Sequence, residues 1–200
     1  MKKILTSYEV ILGVTGGIAA YKSAHLCSRL VQYGAGVSVV MTTHAEQFVG
    51  RVTFSTLSGR EVYHDLFNSE QVYSTEHISL TDRADLIVVA PATANIIAKT
   101  AQGICDDLLS TLLCSADSDV LMAPAMNHRM WNNPATQQNI ETLCQRGCRI
   151  IGPVSGHLAC GQEGIGRMCE PEEILQKIID LLTSKRSKND PPNPAGPGTK

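Results

Sequence analysis

Several features are missing or scarce in this 200-residue sequence, and each absence narrows the possible functions. The formal net charge is only −2, so there is no excess of positive charge with which to bind nucleic acid or an anionic membrane. No apolar run approaches the about 20 residues that a membrane-spanning helix needs. The first residues, MKKILTSYEVILGV, carry polar side chains within their apolar part, which favours a first strand over a signal peptide. We therefore expect neither nucleic acid nor a membrane as a partner.

A metal-binding or disulfide pattern is also missing. The seven cysteines are an odd number, and no two of them form a CxxC pair. Three residues separate Cys144 from Cys148, but no matching group of histidines and cysteines accompanies them, so we expect no metal site. Several cysteines lie in apolar stretches such as LLCS, where a reduced cysteine behaves as a small apolar residue. A reduced protein of the cytoplasm is the simplest interpretation.

The apolar residues alternate between short runs and longer helix-like segments. The predicted strands cover residues 10–15, 37–42, 85–93, 119–127 and 148–153. These runs are apolar on both faces, which is typical of a parallel sheet between two layers of helices. Helical spacing and capping residues predict helices over residues 18–33, 133–146 and 171–184. The pattern predicts a doubly wound α/β fold, flavodoxin-like or Rossmann-like, with helices on both faces of a parallel sheet.

Two regions follow this pattern less clearly. Residues 51–84 are predicted to hold a helix around TFSTLSG and then a loop that leads to HISL. Residues 187–200, SKNDPPNPAGPGTK, hold four of the nine prolines and no large apolar residue, so we predict a disordered tail there. A single folded domain is then expected to cover residues 1–186.

The first predicted strand runs into a glycine turn, GVTGGIAAYK. Gly16 and Gly17 allow the backbone to come close to a ligand, and the free N–H groups at the start of the next helix favour phosphate. Because the turn is not GxGxxG, a single phosphate, as in a mononucleotide, fits it better than a dinucleotide. A tight turn without any ligand is an equally open interpretation of this segment alone.

Two other strand ends are predicted to lie at the same edge of the sheet. Thr42 and Thr43 follow the second strand, and Thr93 and Asn95 follow the third. Short hydroxyl and amide side chains suit phosphate, ribityl hydroxyls or a ring edge, although helix capping is the alternative role for each of them. In a doubly wound sheet the carboxyl ends of the strands form the ligand crevice, so the three ends together favour a mononucleotide site.

Four segments, taken in order, carry a resemblance to a known family. GVTGGIAAYK is followed by HISLTDRADLIVVAPATANIIAK, then by PAMNHRMW and finally by ACGQEGIGRM. Through these motifs, residues 8–183 resemble the FMN-dependent cysteine decarboxylases, a family of flavoproteins. Within the family, the match is closest to the carboxy-lyases of coenzyme A biosynthesis, which convert 4′-phosphopantothenoylcysteine to 4′-phosphopantetheine. The resemblance implies FMN as cofactor and a homotrimer or a multiple of trimers with active sites at subunit boundaries. In many bacteria such an enzyme is fused to the synthetase that makes its substrate. No second domain follows the proline-rich segment here, so we expect either a monofunctional protein, with a separate phosphopantothenate–cysteine ligase as pathway partner, or a fragment of a fused enzyme.

The resemblance also implies roles for individual residues. His77 matches the active-site histidine of the HIxL motif, and Cys160 matches the cysteine of a flap that covers the substrate. Asn127 matches the asparagine that binds the substrate carboxylate and amide, and Met130 matches a methionine of the substrate pocket. The implied FMN contacts are Gly17, Ile18, Ala19, Thr42, Thr43, Thr93, Ala94, Asn95, Ile96 and Ala125. Arg167 is a further candidate, for a phosphate or for anchoring the flap.

The expected chemistry explains why such an enzyme needs a flavin. Loss of CO₂ from an acylated cysteine leaves an α-carbanion without an electron sink. Oxidation of the thiol-bearing carbon to a thioaldehyde supplies a sink, because the carboxylate is then β to a C=S group, and FMN can accept the hydride. The resulting enethiol must regain a hydride and a proton to become a saturated thiol. A histidine suits proton transfer or carboxylate orientation, and a flap cysteine suits donation of the final proton.

Other functions remain open at this point. A related flavoprotein decarboxylates the C-terminal cysteine of a peptide and stops at the enethiol, which requires no final proton donor. Flavin prenyltransferases share the fold but are disfavoured by PAMNHRMW and the cysteine flap. Some relatives are non-catalytic regulatory subunits that bind a protein phosphatase. The presence of both His77 and Cys160 favours catalysis over that role.

Overall fold

A six-stranded parallel sheet forms the centre of the molecule. The computed structural model describes residues 3–65, 76–157, 161 and 163–189. The strands are β1 (Glu9–Val14), β2 (Gly36–Met41), β3 (Val62–Tyr63), β4 (Leu86–Ala92), β5 (Asp119–Pro124) and β6 (Arg149–Ile150). They lie in the order β3-β2-β1-β4-β5-β6, and each neighbouring pair is parallel. This is the Rossmann-like order, with a reversal between β1 and β4, so the predicted doubly wound fold is confirmed.

Helices cover both faces of this sheet. In chain order they are α1 (Ala20–Gln32), α2 (Arg51–Ser58), α3 (Glu76–Arg83), α4 (Ala94–Gln102), α5 (Leu108–Ser115), α6 (His128–Trp131), α7 (Pro134–Gln145) and α8 (Pro171–Asn189). One core contains apolar side chains of α1, α2 and α8, and the other contains those of α3, α4, α5 and α7. All seven residues of β4 are buried, because a central strand between two helical layers has no face in contact with water.

The predicted helix boundaries reflect local capping. The Asn133 side chain accepts a hydrogen bond from the backbone N–H of Ala135, and Pro134 occupies the first position of α7, where its missing N–H costs nothing. The helix ends before Gly147, as the sequence indicated. α8, in contrast, continues past the predicted residue 184 to Asn189. Residues 190–200 lie outside the described residues, so the disordered tail and the domain boundary at 186 stay predictions.

The glycine-rich segment near the end of the chain contains regular structure that the sequence pattern did not reveal. β7 (Val154–His157) and β8 (Glu163–Arg167) pair antiparallel and form a hairpin separate from the main sheet. Its strands contain glycine and polar residues rather than an alternating apolar pattern, which explains why no strand was predicted. The short strand β3 and the helices α4 and α5 were likewise not assigned from the sequence.

None of the helices in the described ranges is both long and apolar enough to cross a membrane.

Candidate functional site

A cavity of about 530 Å³ opens at the carboxyl edge of the sheet, where the strand order reverses. Segments that follow β1, β4 and β5 form most of its wall, and the β7–β8 hairpin closes one side. The lining residues are Gly16, Gly17, Ile18, Ala19, Tyr21, Lys22, Thr93, Ala94, Ala125, Met126, Asn127, Met130, His157, Gly166, Arg167 and Met168. Eight of the predicted site residues, Gly17, Ile18, Ala19, Thr93, Ala94, Ala125, Asn127 and Met130, therefore lie around one cavity. Its position at the topological switch point is that of ligand crevices in doubly wound folds.

The two glycines of the first turn have different roles. A Cβ added at Gly16 would collide with the side chain and backbone of His44, so Gly16 is required by the packing of the protein itself. A Cβ added at Gly17 would meet only the Thr93 Cγ2, at an ordinary contact distance of 3.7 Å. Glycine is therefore needed at position 16 so that the turn can pack against His44. At position 17, which faces the cavity, the lack of a side chain allows a ligand to come close to the backbone.

Two helices begin at the cavity without a side-chain cap. No side chain caps α1 at Ala19, and its first turn holds no acidic residue. Thr93 precedes α4 but makes no capping bond with its side chain, since the Thr93 hydroxyl instead accepts a hydrogen bond from the Thr15 hydroxyl at 3.3 Å. α5 shows the contrast, because Asp107 closes its N-terminus with a full capping box. The positive ends of α1 and α4 thus face the cavity without a capping side chain from the described residues, although the Ala20 and Lys22 N–H groups already donate to the Gly17 and Ala19 carbonyls.

The Thr42 hydroxyl supplies a second sign of a ligand. Its Oγ1 is buried and has no hydrogen-bond partner among the residues that the structure describes. Thr42 directly follows β2, and its N–H donates to the Val14 carbonyl of β1 at 3.0 Å, so it lies beside the glycine turn. Buried hydroxyls in proteins are normally paired, and an oxygen of a bound ligand would satisfy this one. Neither Thr42 nor the exposed Thr43 belongs to the cavity lining proper.

Asn127 precedes the short helix α6 as its N-cap, and Met130 lies on that helix; both line the cavity. The Asn127 Oδ1 accepts a hydrogen bond from the Arg129 N–H at 2.8 Å, so the residue does cap this helix while it lines the cavity. The cap fixes the direction of the Asn127 side chain. Met130 is 48% exposed, which is high for a large apolar residue and places a thioether at the cavity surface.

The β7–β8 hairpin packs tightly against the loop that follows β5. The Met126 N–H donates to the Gly166 carbonyl at 2.9 Å, and a Cβ at Gly166 would collide with the Met126 carbonyl oxygen. Gly166 also has a φ of +153°, which side-chain-bearing residues rarely adopt. Glycine is therefore needed here for both conformation and close approach.

The remaining predicted site residues lie outside this lining or outside the described part of the chain. Ile96 is 1% exposed within the second core, and Asn95 is exposed at the start of α4. Cys160 lies outside the described residues. The backbone of α3 places His77 in its first turn, but the His77 side chain is not among those described. Two residues separate the end of α3 at Arg83 from the start of β4, so the start of α3 lies toward the carboxyl edge of the sheet.

Sequence reasoning did not identify Tyr21 and Lys22 as lining residues. Both were treated only as part of the first predicted helix. The available signal was their position, because residues in the first turn of a helix that starts at a ligand crevice lie beside that crevice.

Lys22 is 8% exposed, and its Nζ donates to the Met168 carbonyl at 3.3 Å and to the Glu170 carboxylate at 2.7 Å. The hydrogen bond from Lys22 lowers the pKa of Glu170.

The described cysteines form no disulfide, and no group of three or more histidine, cysteine or acidic residues in the described ranges could hold a metal ion. Burial raises the pKa of the Cys27 thiol to about 11 and that of Cys148 to about 12. Both thiols are therefore protonated and unreactive at neutral pH.

Comparison with known proteins gives matches over most of this chain. The flavoprotein family model matches residues 2–183. The coenzyme A biosynthesis bifunctional protein CoaBC of Bacillus subtilis is 50% identical over 173 residues, which are 86% of this chain and 43% of that protein. The CoaBC protein of Vibrio parahaemolyticus is 47% identical over 181 residues, which are 90% of this chain and 45% of that protein. This chain therefore spans less than half the length of these curated relatives.

Solved structures show the same architecture. A cysteine-to-serine mutant of PPC decarboxylase, complexed with pantothenoylaminoethenethiol, has a TM-score of 0.77 and 32% identity, with 86% of this chain and 96% of that chain covered. The FMN-binding protein AtHal3 also has a TM-score of 0.77 and 32% identity, with 89% of this chain and 98% of that chain covered. With a family model over nearly all of the folded part and relatives of this similarity, the chain belongs to the flavoprotein family.

Proposed function

We propose that this chain binds FMN in the cavity at the carboxyl edge of the sheet and decarboxylates 4′-phosphopantothenoylcysteine to 4′-phosphopantetheine, a step of coenzyme A biosynthesis. The observation that carries the proposal is the meeting of two uncapped helix N-termini at one cavity, with the unpaired Thr42 hydroxyl close to the glycine turn but outside the lining. The relatives named above support the substrate, because their names refer to coenzyme A biosynthesis and to PPC decarboxylase.

The residues around the cavity fit FMN. Gly17, Ile18 and Ala19 offer backbone N–H groups at the start of α1 to the phosphate. The Thr42 hydroxyl, with Thr43 beside it, is suited to a phosphate or ribityl oxygen. Thr93 and Ala94 at the start of α4, with Ala125 after β5, are placed to line the remainder of the cofactor, and Asn95 and Ile96 flank them. Bound FMN supplies reversible hydride acceptance, which opens a route for electrons during loss of CO₂.

The protein side chains then bind the substrate and move its protons. Asn127 is proposed to hold the substrate carboxylate and amide, since its side chain is already oriented by its capping bond. Met130 contributes an adaptable apolar wall beside it. His77 is proposed to orient the carboxylate or transfer a proton, and Cys160 to donate the proton that completes the saturated thiol. The overall reaction consumes one proton, releases one CO₂ and leaves no net oxidation or reduction.

The proposed enzyme is a homotrimer, or a multiple of trimers, in the cytoplasm. Exposed apolar side chains at or near the carboxyl edge support association there, since Ile18 and Tyr21 are each 61% exposed and Phe48 is 49% exposed. The substrate requires a phosphopantothenate–cysteine ligase, which we propose to be a separate chain. Because the curated relatives are named bifunctional, a ligase fused to the same polypeptide is the alternative.

Incubation of the FMN-loaded protein with 4′-phosphopantothenoylcysteine, followed by mass spectrometry, tests the function. The proposal predicts a product that has lost CO₂ and nothing else. A product that is also two hydrogens short would indicate an enzyme that stops at the enethiol. A peptide with a C-terminal cysteine should be offered in parallel, because turnover of the peptide alone would transfer the function to peptide modification. A protein that binds FMN but converts neither substrate would support the regulatory alternative.

A further inference from the structure

The base of the β7–β8 hairpin is tied to the first helix through a single carboxylate oxygen. The Glu170 Oε1 accepts a hydrogen bond from the Lys22 Nζ of α1 at 2.7 Å and another from the Arg167 Nη2 of β8 at 3.0 Å. Lys22 and Arg167 both line the cavity, on different elements. Glu170 therefore links the helix that begins at the glycine turn to the strand that closes the opposite wall.

The backbone of Glu170 is held firmly enough to act as such a link. Its carbonyl accepts hydrogen bonds from the N–H groups of Glu173 and Ile174, at 3.0 and 3.2 Å, at the start of α8. Its N–H donates to the Glu173 carboxylate at 2.9 Å. Ile174 is fully buried in the first core, so the start of α8 is fixed to the body of the protein. The carboxylate thus projects from a rigid point toward the hairpin.

Lys22 and Arg167 are constrained as well. The Lys22 side chain is only 10% exposed and has a second hydrogen bond to the Met168 carbonyl, directly after Arg167 in the chain. Arg167 crosses the hairpin, because a Cβ at Gly156 of β7 would lie 2.8 Å from the Arg167 Nη1. The contacts of Lys22, Glu170 and Arg167 therefore reach both strands of the hairpin.

We propose that Glu170 is a positioning residue, which holds the β7–β8 hairpin in place over the cavity by sharing one carboxylate oxygen between Lys22 and Arg167. The consequence for catalysis rests on the proposed function, in which the segment between β7 and β8 carries Cys160. A hairpin held in this way keeps the cavity wall formed by Gly166 and Met168 closed against the loop after β5. Loss of the carboxylate leaves the two cations without their common partner and releases the hairpin base.

The hydrogen-exchange rate of the Met126 amide reports whether the hairpin stays in contact with the rest of the protein, because this N–H donates to the Gly166 carbonyl of β8. We expect its hydrogen exchange in the FMN-loaded protein to become at most about fivefold faster in Glu170→Gln, because the Glu170 side chain is 49% exposed and water screens its ion pairs. The KM for 4′-phosphopantothenoylcysteine should rise by a similar factor, with kcat for CO₂ release changed less than about twofold. Glu170→Asp keeps the negative charge, so both its Met126 exchange rate and its KM should lie between those of Glu170→Gln and the parent protein.

Glu172→Gln is the matched control. Glu172 lies two residues further along, and its Oε1 lies 3.2 Å from the His25 Nε2 of α1. It therefore also joins α8 to α1, but it has no hydrogen bond or ion pair with the described residues of the hairpin. It should leave both the Met126 exchange rate and KM unchanged. If Glu170→Gln does not fold, Arg167→Gln removes the link from the hairpin side at a side chain that is 39% exposed, and it should speed up Met126 exchange in the same way. Its KM is not used, because Arg167 itself lines the cavity.

One result would overturn the proposal. Unchanged exchange of the Met126 amide in Glu170→Gln would show that the carboxylate does not hold the hairpin. If the KM rose all the same, Glu170 would act on the ligand directly. The exchange measurement needs no turnover, so failure of the proposed decarboxylation, seen as an inactive parent protein, is distinguishable from failure of the positioning role.

Discussion

Thr42→Val tests the assignment of the cofactor cavity through two effects of opposite sign. The buried Thr42 hydroxyl has no partner in the described part of the protein, and an unsatisfied buried polar group costs about 1–3 kcal/mol. Valine has nearly the same shape but no hydroxyl. We therefore expect FMN-free Thr42→Val to gain about 1 kcal/mol in its free energy of unfolding, which corresponds to about 2–4 °C in melting temperature.

FMN binding should change in the other direction. If a flavin oxygen completes the hydrogen bonding of Thr42, valine removes that bond, and a loss of about 1 kcal/mol raises the dissociation constant of FMN about fivefold. Calorimetric melting of the FMN-free protein and titration of flavin fluorescence measure the two effects.

Ser118→Ala is the control, because the Ser118 hydroxyl is also buried without a partner in the described ranges but lies before β5, at the opposite edge of the sheet. Ser118→Ala should stabilise the FMN-free protein and leave FMN affinity unchanged. A Thr42→Val protein that binds FMN as tightly as its parent would refute the reasoning.

Three further predictions concern the hairpin and the thiols. Cys160→Ser should still release CO₂ but accumulate a product two hydrogens short, and formation of the normal thiol, seen by mass spectrometry, would remove Cys160 from the mechanism. Gly166→Ala should lower the free energy of unfolding, measured in urea, by about 1–3 kcal/mol and weaken substrate binding, because the added methyl group collides with the Met126 carbonyl. Gly59→Ala is the control, because Gly59 has a φ of +68° but an added Cβ would meet no atom within 4 Å. It should destabilise the protein less and leave substrate binding unchanged. Burial raises the pKa of Cys148 to about 12, so iodoacetamide at pH 8 should modify the exposed Cys144 of the folded protein and leave Cys148 unmodified. A mass-spectrometric time course measures the labelling of each thiol. Equal labelling of the two would contradict the burial of the Cys148 thiol.

The sequence was most informative where a local pattern determines the structure. β4 is buried along its whole length, so an uninterrupted apolar run identified it. Asn133, Pro134 and Gly147 defined α7 because capping is decided within a few residues. The residues after β1, β2 and β4 were predicted to converge because parallel strands place their carboxyl ends at one edge. The cavity lies at that edge, and residues after β1 and β4 line it, whereas Thr42 and Thr43 after β2 do not.

Other features depend on contacts between distant segments and left no local signal. The β7–β8 hairpin is built from glycine and polar residues, and Gly166 is needed because of Met126, forty residues earlier in the chain. The role of Gly16 depends on its contact with His44 rather than on a ligand. Lys22 gave no sequence signal of its proximity to Glu170, since 148 residues separate them. The roles of specific residues in catalysis came from the resemblance to a family and not from periodicity.

The most direct test of the central claim compares CO₂ release from 4′-phosphopantothenoylcysteine by the FMN-loaded protein and by FMN-loaded His77→Asn. We predict that the parent protein releases one CO₂ for each 4′-phosphopantetheine formed, and that His77→Asn releases none while it keeps its flavin absorbance. A parent protein that carries a full complement of FMN and releases no CO₂ from this substrate would contradict the account.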